Sequence, residues 1–66
     1  MKVIQRKDLL DSGYKIAATN LTTNEVEYIT IDIPIPILYG NEEGIVKLVH
    51  NQVVYDVDSI DLDFIN

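Results

Sequence analysis

The sequence predicts a small, mainly β domain, all-β or small α+β, built as an antiparallel sheet of two hairpins with at most one short helix. Three observations carry that expectation. The dominant apolar period along the chain is two, turn-forming residues interrupt it at T22-T-N-E25 and at Asn51-Gln52, and no helical period lasts beyond two turns. With 66 residues the chain makes one domain, and no linker or repeat divides it.

The elements follow in order. K2-V-I-Q5 reads as a short strand. K7-D-L-L-D-S12 before Gly13 fits one helical turn closed by a glycine cap or an irregular loop, and the helical turn is the favoured reading. Y14-K-I-A-A-T-N-L21 is the next strand, with Tyr14, Ile16 and Ala18 on one face, and it turns at residues 22–25 into a strand that resumes at Val26. I45-V-K-L-V-H50 and V53-V-Y-D-V57 form the second hairpin, because Asn tolerates positive φ at the first position of a two-residue turn. Beyond Val57 the apolar positions change from odd to even numbers, at Ile60, Leu62 and Phe64. Either a bend near Ser59 restores the inward face, or a short helix capped by Asp58 or Ser59 begins there.

A domain of this size buries only about 60% of the surface that its unfolded chain exposes, so it gains most from a staple or a partner. The chain has no cysteine and one histidine, His50, which excludes disulfides and argues against structural zinc. No run approaches the ~20 apolar residues of a membrane span, and no signal peptide is legible. A soluble, cytoplasmic protein is expected.

Charge is uneven. Residues 1–15 hold Lys2, Arg6, Lys7 and Lys15 against Asp8 and Asp11, a net of +2, whereas residues 16–66 hold Lys47 against nine carboxylates, a net of −8, giving −6 in all. Such a field repels nucleic acid and membranes and attracts a protein with a basic, DNA-binding surface, although acidity also serves solubility. The aspartates of D56-V-D-S-I-D-L-D63 do not make a calcium loop: Asp61 stands where glycine is needed, and no bidentate glutamate follows. No base stands at a telling distance from a serine or threonine, and G40-N-E-E-G44 would meet a phosphate with two carboxylates. Neither catalysis nor a cofactor or metal is expected.

The most unusual segment is I29-T-I-D-I-P-I-P-I37, with isoleucine at every second position. In an extended chain all five share one face, and Pro34 and Pro36 remove donors from a single edge. From Asp32 onward the segment is therefore expected to be an edge strand or to leave the sheet. Its nine residues span about 30 Å, the width of the domain, so Ile29 and Ile31 are assigned to the core while Ile35 and Ile37 project as contacts. Alternatively, the chain bends at Pro34 and turns both inward.

The series D8-L-L-D-S12, Tyr14, E27-Y28, L38-Y-G-N41 and K47-L48 resembles the short uracil-DNA-glycosylase inhibitors of small tailed phages of Bacillus, in order and similar spacing over most of residues 8–48. The resemblance implies an acidic homodimer that imitates DNA in the enzyme's groove, in the cytoplasm of a phage host. It also implies a helix leading into L38-Y-G-N41, against which the prolines stand. Ile35 matches that family's inserted aromatic residue, Tyr39 its motif tyrosine and Glu27 an acidic residue on the preceding strand. The candidate partner-binding set is Glu27, Ile35, Ile37, Leu38, Tyr39, Glu42, Glu43, Asp56 and Asp58. The function so implied is inhibition of a host DNA-processing enzyme, uracil-DNA glycosylase first and a restriction or CRISPR nuclease as the variant. The alternative from another class is a small β domain for dimerisation or assembly.

Overall fold

The computed structural model describes residues 1–40 and 43–66, so Asn41 and the candidate contact Glu42 lie outside the described residues. The expected mainly β, antiparallel class is what is found. Strands β1 (Lys2–Gln5), β2 (Ile16–Asn20), β3 (Glu25–Ile29), β4 (Ile35–Gly40), β5 (Ile45–His50), β6 (Val53–Asp58) and β7 (Leu62–Ile65) form one sheet in the order β3-β2-β6-β5-β4-β1-β7. A helix α1 (Lys7–Asp11) and a 3₁₀ turn (Ser59–Asp61) complete the elements among the described residues.

A flat sheet of seven strands would be about 29 Å wide and one layer thick. The extents are instead 29 × 23 × 22 Å, so the sheet is curled. The isoleucine segment explains the curl. Its first residue, Ile29, ends β3, which pairs with β2, and its last three open β4, which pairs with β5, while β6 bridges β2 and β5. One continuous stretch of chain thus joins the two ends of a ring of strands. At the corner between them the Gln5 amide of β1 donates to the Ile31 carbonyl at 3.1 Å.

The inner face follows from the register. Val46 lies opposite Val57 and Val57 opposite Ala18, while Leu48 lies opposite Tyr55 and Tyr55 opposite Asn20. Paired residues point to the same side of a sheet, so these rows meet inside with Ile16, Ile31, Ile35, Val3 and Leu62 to form the core. Each fully buried Leu, Ile or Val contributes about 1.5–3 kcal/mol, so a handful of them accounts for most of the stability of so small a domain.

The hairpins form where turn chemistry places them. Asn51 and Gln52 both adopt left-handed backbone, at φ 52° and 67°, as a two-residue turn matched to strand twist requires. Asn accepts this readily and Gln does not. Gln52→Gly is therefore expected to stabilise the protein by up to about 1 kcal/mol, raising the thermal midpoint by roughly 4–8 °C in a melting experiment. Helix α1 ends as the glycine cap predicts. Gly13, at φ 75°, donates to the Leu10 carbonyl at 3.0 Å and Tyr14 donates to Leu9 at 2.9 Å, which satisfies two carbonyls of the last turn. The phase change after Val57 combines both alternatives. The Asp58 carboxylate caps the 3₁₀ turn by accepting from the Ile60 amide at 3.2 Å, and β7 then resumes with Leu62 inward.

Four expectations are corrected. The segment after Asp32 is not an edge strand: residues 30–34 leave the sheet, and the chain re-enters it as β4 between β5 and β1, where the ladder to β1 has two pairs, Lys2 with Pro36 and Val3 with Ile35. Ile35 does not project: of the two courses open to it the inward one is found, with Ile35 buried opposite Val3 after a bend at Ile33, which is 63% exposed. The backbone leading into L38-Y-G-N41 is strand over Ile35–Gly40 where the resemblance implied helix, because Ile35 and Pro36 pair with β1 and Ile37, Tyr39 and Gly40 pair with β5. Tyr14 precedes β2 and is exposed, so it does not share the inward face of Ile16 and Ala18.

Candidate functional site

Outward-facing residues form a transverse row across five strands. Val26 lies opposite Thr19, Thr19 opposite Asp56, Asp56 opposite Lys47, and Lys47 opposite Tyr39. Tyr39 belongs to this outer row because the β4–β5 register shifts between Ile37 and Tyr39, making Leu38 an extra residue. The bulge leaves Ile37 inward and half-buried, turns Tyr39 outward and projects Leu38, which is 56% exposed.

The centre of the row is an ion pair. Lys47 Nζ lies 2.5 Å from Asp56 Oδ1 and 5.5 Å from the centre of the Tyr39 ring. The Asp56 hydrogen bond holds the Lys47 ammonium above its ordinary value, with the nearby Tyr39 hydroxyl adding to it. Asp56 is therefore neutralised within the fold. Asp58 is exposed but occupied in capping the turn at Ile60, and Glu43 is an exposed loop residue.

Glu27 has an internal task. Its Oε2 accepts from Asn20 Nδ2 at 2.7 Å and its Oε1 is 3.5 Å from the Tyr55 hydroxyl. Asn20, itself buried, also accepts from the Thr22 and Thr23 amides at 2.9 and 3.3 Å, so one polar cluster ties Glu27 and Tyr55 to the β2–β3 turn. Burial raises the Tyr55 phenol above 10.0, and the Glu27 carboxylate adds to the shift.

These two groups give the protein an alkaline limit. Tyr55 and Lys47 both keep their protons to higher pH when folded than the ordinary values of 10.0 and 10.5. The unfolded chain then loses protons first, so the stability these two groups contribute is fully present below about pH 10 and is lost as pH rises through the folded values. Urea titrations at pH 8 and at higher pH are expected to show this fall, and Tyr55→Phe to make it shallower.

Of the candidate contacts, the structure brings Tyr39 and Asp56 together with Lys47, exposes Leu38, Glu43 and Asp58, and withdraws Ile35, Glu27 and partly Ile37. Sequence reasoning missed two surfaces. On β3, Val26 and Tyr28 are 59% and 67% exposed beside Ala17 and Thr19. The signal was present in E25-V-E-Y-I29, where apolar residues occupy both parities and one set must face out. The second is a cleft of about 390 Å³ lined by Met1, Ile37, Ile45, Val46 and Phe64, with Gly40, Gly44 and Ser59 at its margin.

Among the described residues no group of three or more His, Cys, Asp or Glu stands together as a metal site, and no helix is long and apolar enough to cross a membrane. Comparison with protein-family models, with curated proteins and with solved structures gives no match to this chain.

Proposed function

We propose that the protein is a non-catalytic domain that acts by binding another protein, and that the partner presents a basic surface. The observation that carries this reading is the exposure of apolar side chains on both edge strands, Val26 and Tyr28 side by side on one face of β3 and Phe64 and Ile65 on β7, in a chain of net charge −6. Apolar side chains grouped this way on a small soluble domain mark interaction surfaces, and the charge selects against acidic partners. Assembly on a larger complex, including a homodimer, belongs to the same reading.

A second, narrower reading is a DNA-mimicking inhibitor of a DNA-processing enzyme, uracil-DNA glycosylase first. The exposed carboxylates of Glu25, Asp32, Asp58 and Asp63 favour it. Glu27 and Asp56 do not, because Glu27 is engaged by Asn20 and Asp56 is paired with Lys47. Uracil excision measured with increasing protein separates the two readings. Mimicry gives stoichiometric inhibition that weakens as salt rises. Binding to a protein from a bacterial lysate without such inhibition leaves the assembly domain, and a monomer that retains no protein even at low salt contradicts both.

A further inference from the structure

Among the described residues the sheet ends at β3, whose only neighbour is β2. Among the described residues the backbone hydrogen bonds outside the ladders reach the corner at Ile31 but none involves Glu25–Ile29, so the outer edge of β3 offers its alternate N–H and C=O groups to solvent. Edge strands are ordinarily blunted by proline, lysine, a bulge or a covering loop. β3 has neither proline, glycine nor lysine in its five residues, and its register with β2 runs without a shift from Ile16–Ile29 to Asn20–Glu25.

We infer that this edge takes up an extended segment of the partner as an added strand, and that the segment alternates basic with apolar residues. The inference rests on the protein-binding reading above. Val26 and Tyr28 present an exposed apolar row on one face of the strand, and Glu25 places an exposed carboxylate on the other, beside Glu27, whose own carboxylate is held by Asn20 and Tyr55. A strand laid alongside sets its own alternate side chains next to those two rows, so apolar residues fit the first and lysine or arginine the second. Lys15, just before β2, is the cation nearest in sequence, and with Asp32 after β3 the local balance stays negative.

A second copy of the chain is the less suitable occupant. Antiparallel pairing of β3 with itself about its central residue places Glu27 opposite Glu27, and each copy brings a net charge of −6. Like charges directly opposite destabilise a strand pair.

The test uses the full chain and a capped peptide of alternating lysine and valine, titrated at low salt and followed by amide chemical shifts. The expected result is saturable shifts centred on Val26, Glu27 and Tyr28. Methylating the peptide's backbone nitrogens on the pairing side should weaken binding about tenfold or more, because strand addition depends on main-chain hydrogen bonds. Replacing its lysines by glutamate should abolish binding, and Glu25→Lys in the protein should weaken it several-fold with the amide spectrum otherwise retained. Equal binding of the methylated peptide, shifts centred on β7 or the Phe64 cleft, or shifts at β3 that follow only self-association on concentration would overturn the assignment. If the peptide fails while the protein still retains a protein partner, the edge assignment is lost and the protein-binding reading stands.

Discussion

Ile35→Asp is expected to leave the chain unfolded at neutral pH. Ile35 is buried in the core on β4, opposite Val3 of β1, and no ion pair among the described residues involves that position. An uncompensated buried charge costs about 3–5 kcal/mol. At roughly 0.05–0.15 kcal/mol per residue, a chain of 66 residues has a total stability of the same order. Circular dichroism and the dispersion of the amide spectrum report the outcome. Were Ile35 a projecting contact, the variant would instead remain folded with its thermal midpoint nearly unchanged and lose only association.

The second large effect separates neighbours in the same ridge. Ile31 is fully buried, so Ile31→Ala is expected to cost about 2–5 kcal/mol through lost burial and the cavity left behind. Ile33 lies in the bend and is 63% exposed, so Ile33→Ala should change stability by no more than about 0.5 kcal/mol. Urea unfolding of both variants measures the contrast. Similar losses at the two positions would mean that the segment runs straight, as one strand with all five isoleucines on one face.

Much of the fold was legible in the sequence because its signals are local. Both hairpins follow from alternation and turn residues, Gly13 marks the end of α1, and the change of phase near Ser59 marks a break that Asp58 caps. The course of the isoleucine segment was not legible, because a perfect period of two does not say where a strand stops pairing. That is decided by distant residues, Gln5 at the corner and Val3 opposite Ile35. Pro34 and Pro36 were read as marks of an edge, but residues 30–34 leave the sheet and the chain re-enters it as β4 between β5 and β1.

The candidate site was legible only in part, and for a related reason. The bulge at Leu38 reverses which face Tyr39 occupies, and nothing in L38-Y-G-N41 announces it. Glu27, an acidic strand residue, reads as exposed until Asn20 and Tyr55 are placed beside it. Val26 and Tyr28 could have been found from their parity in E25-V-E-Y-I29. They gain meaning only once β3 is known to be an edge.

The central claim is that the isoleucine segment folds inward as the corner of a curled sheet and leaves the outer edge of β3 open for a partner. Native-state amide hydrogen exchange tests both halves at once. The Gln5 amide, bonded to the Ile31 carbonyl at 3.1 Å, should exchange only through global unfolding, while the β3 amides that face away from β2 should exchange rapidly. Rapid exchange at Gln5, or slow exchange at every amide of β3, would contradict the account.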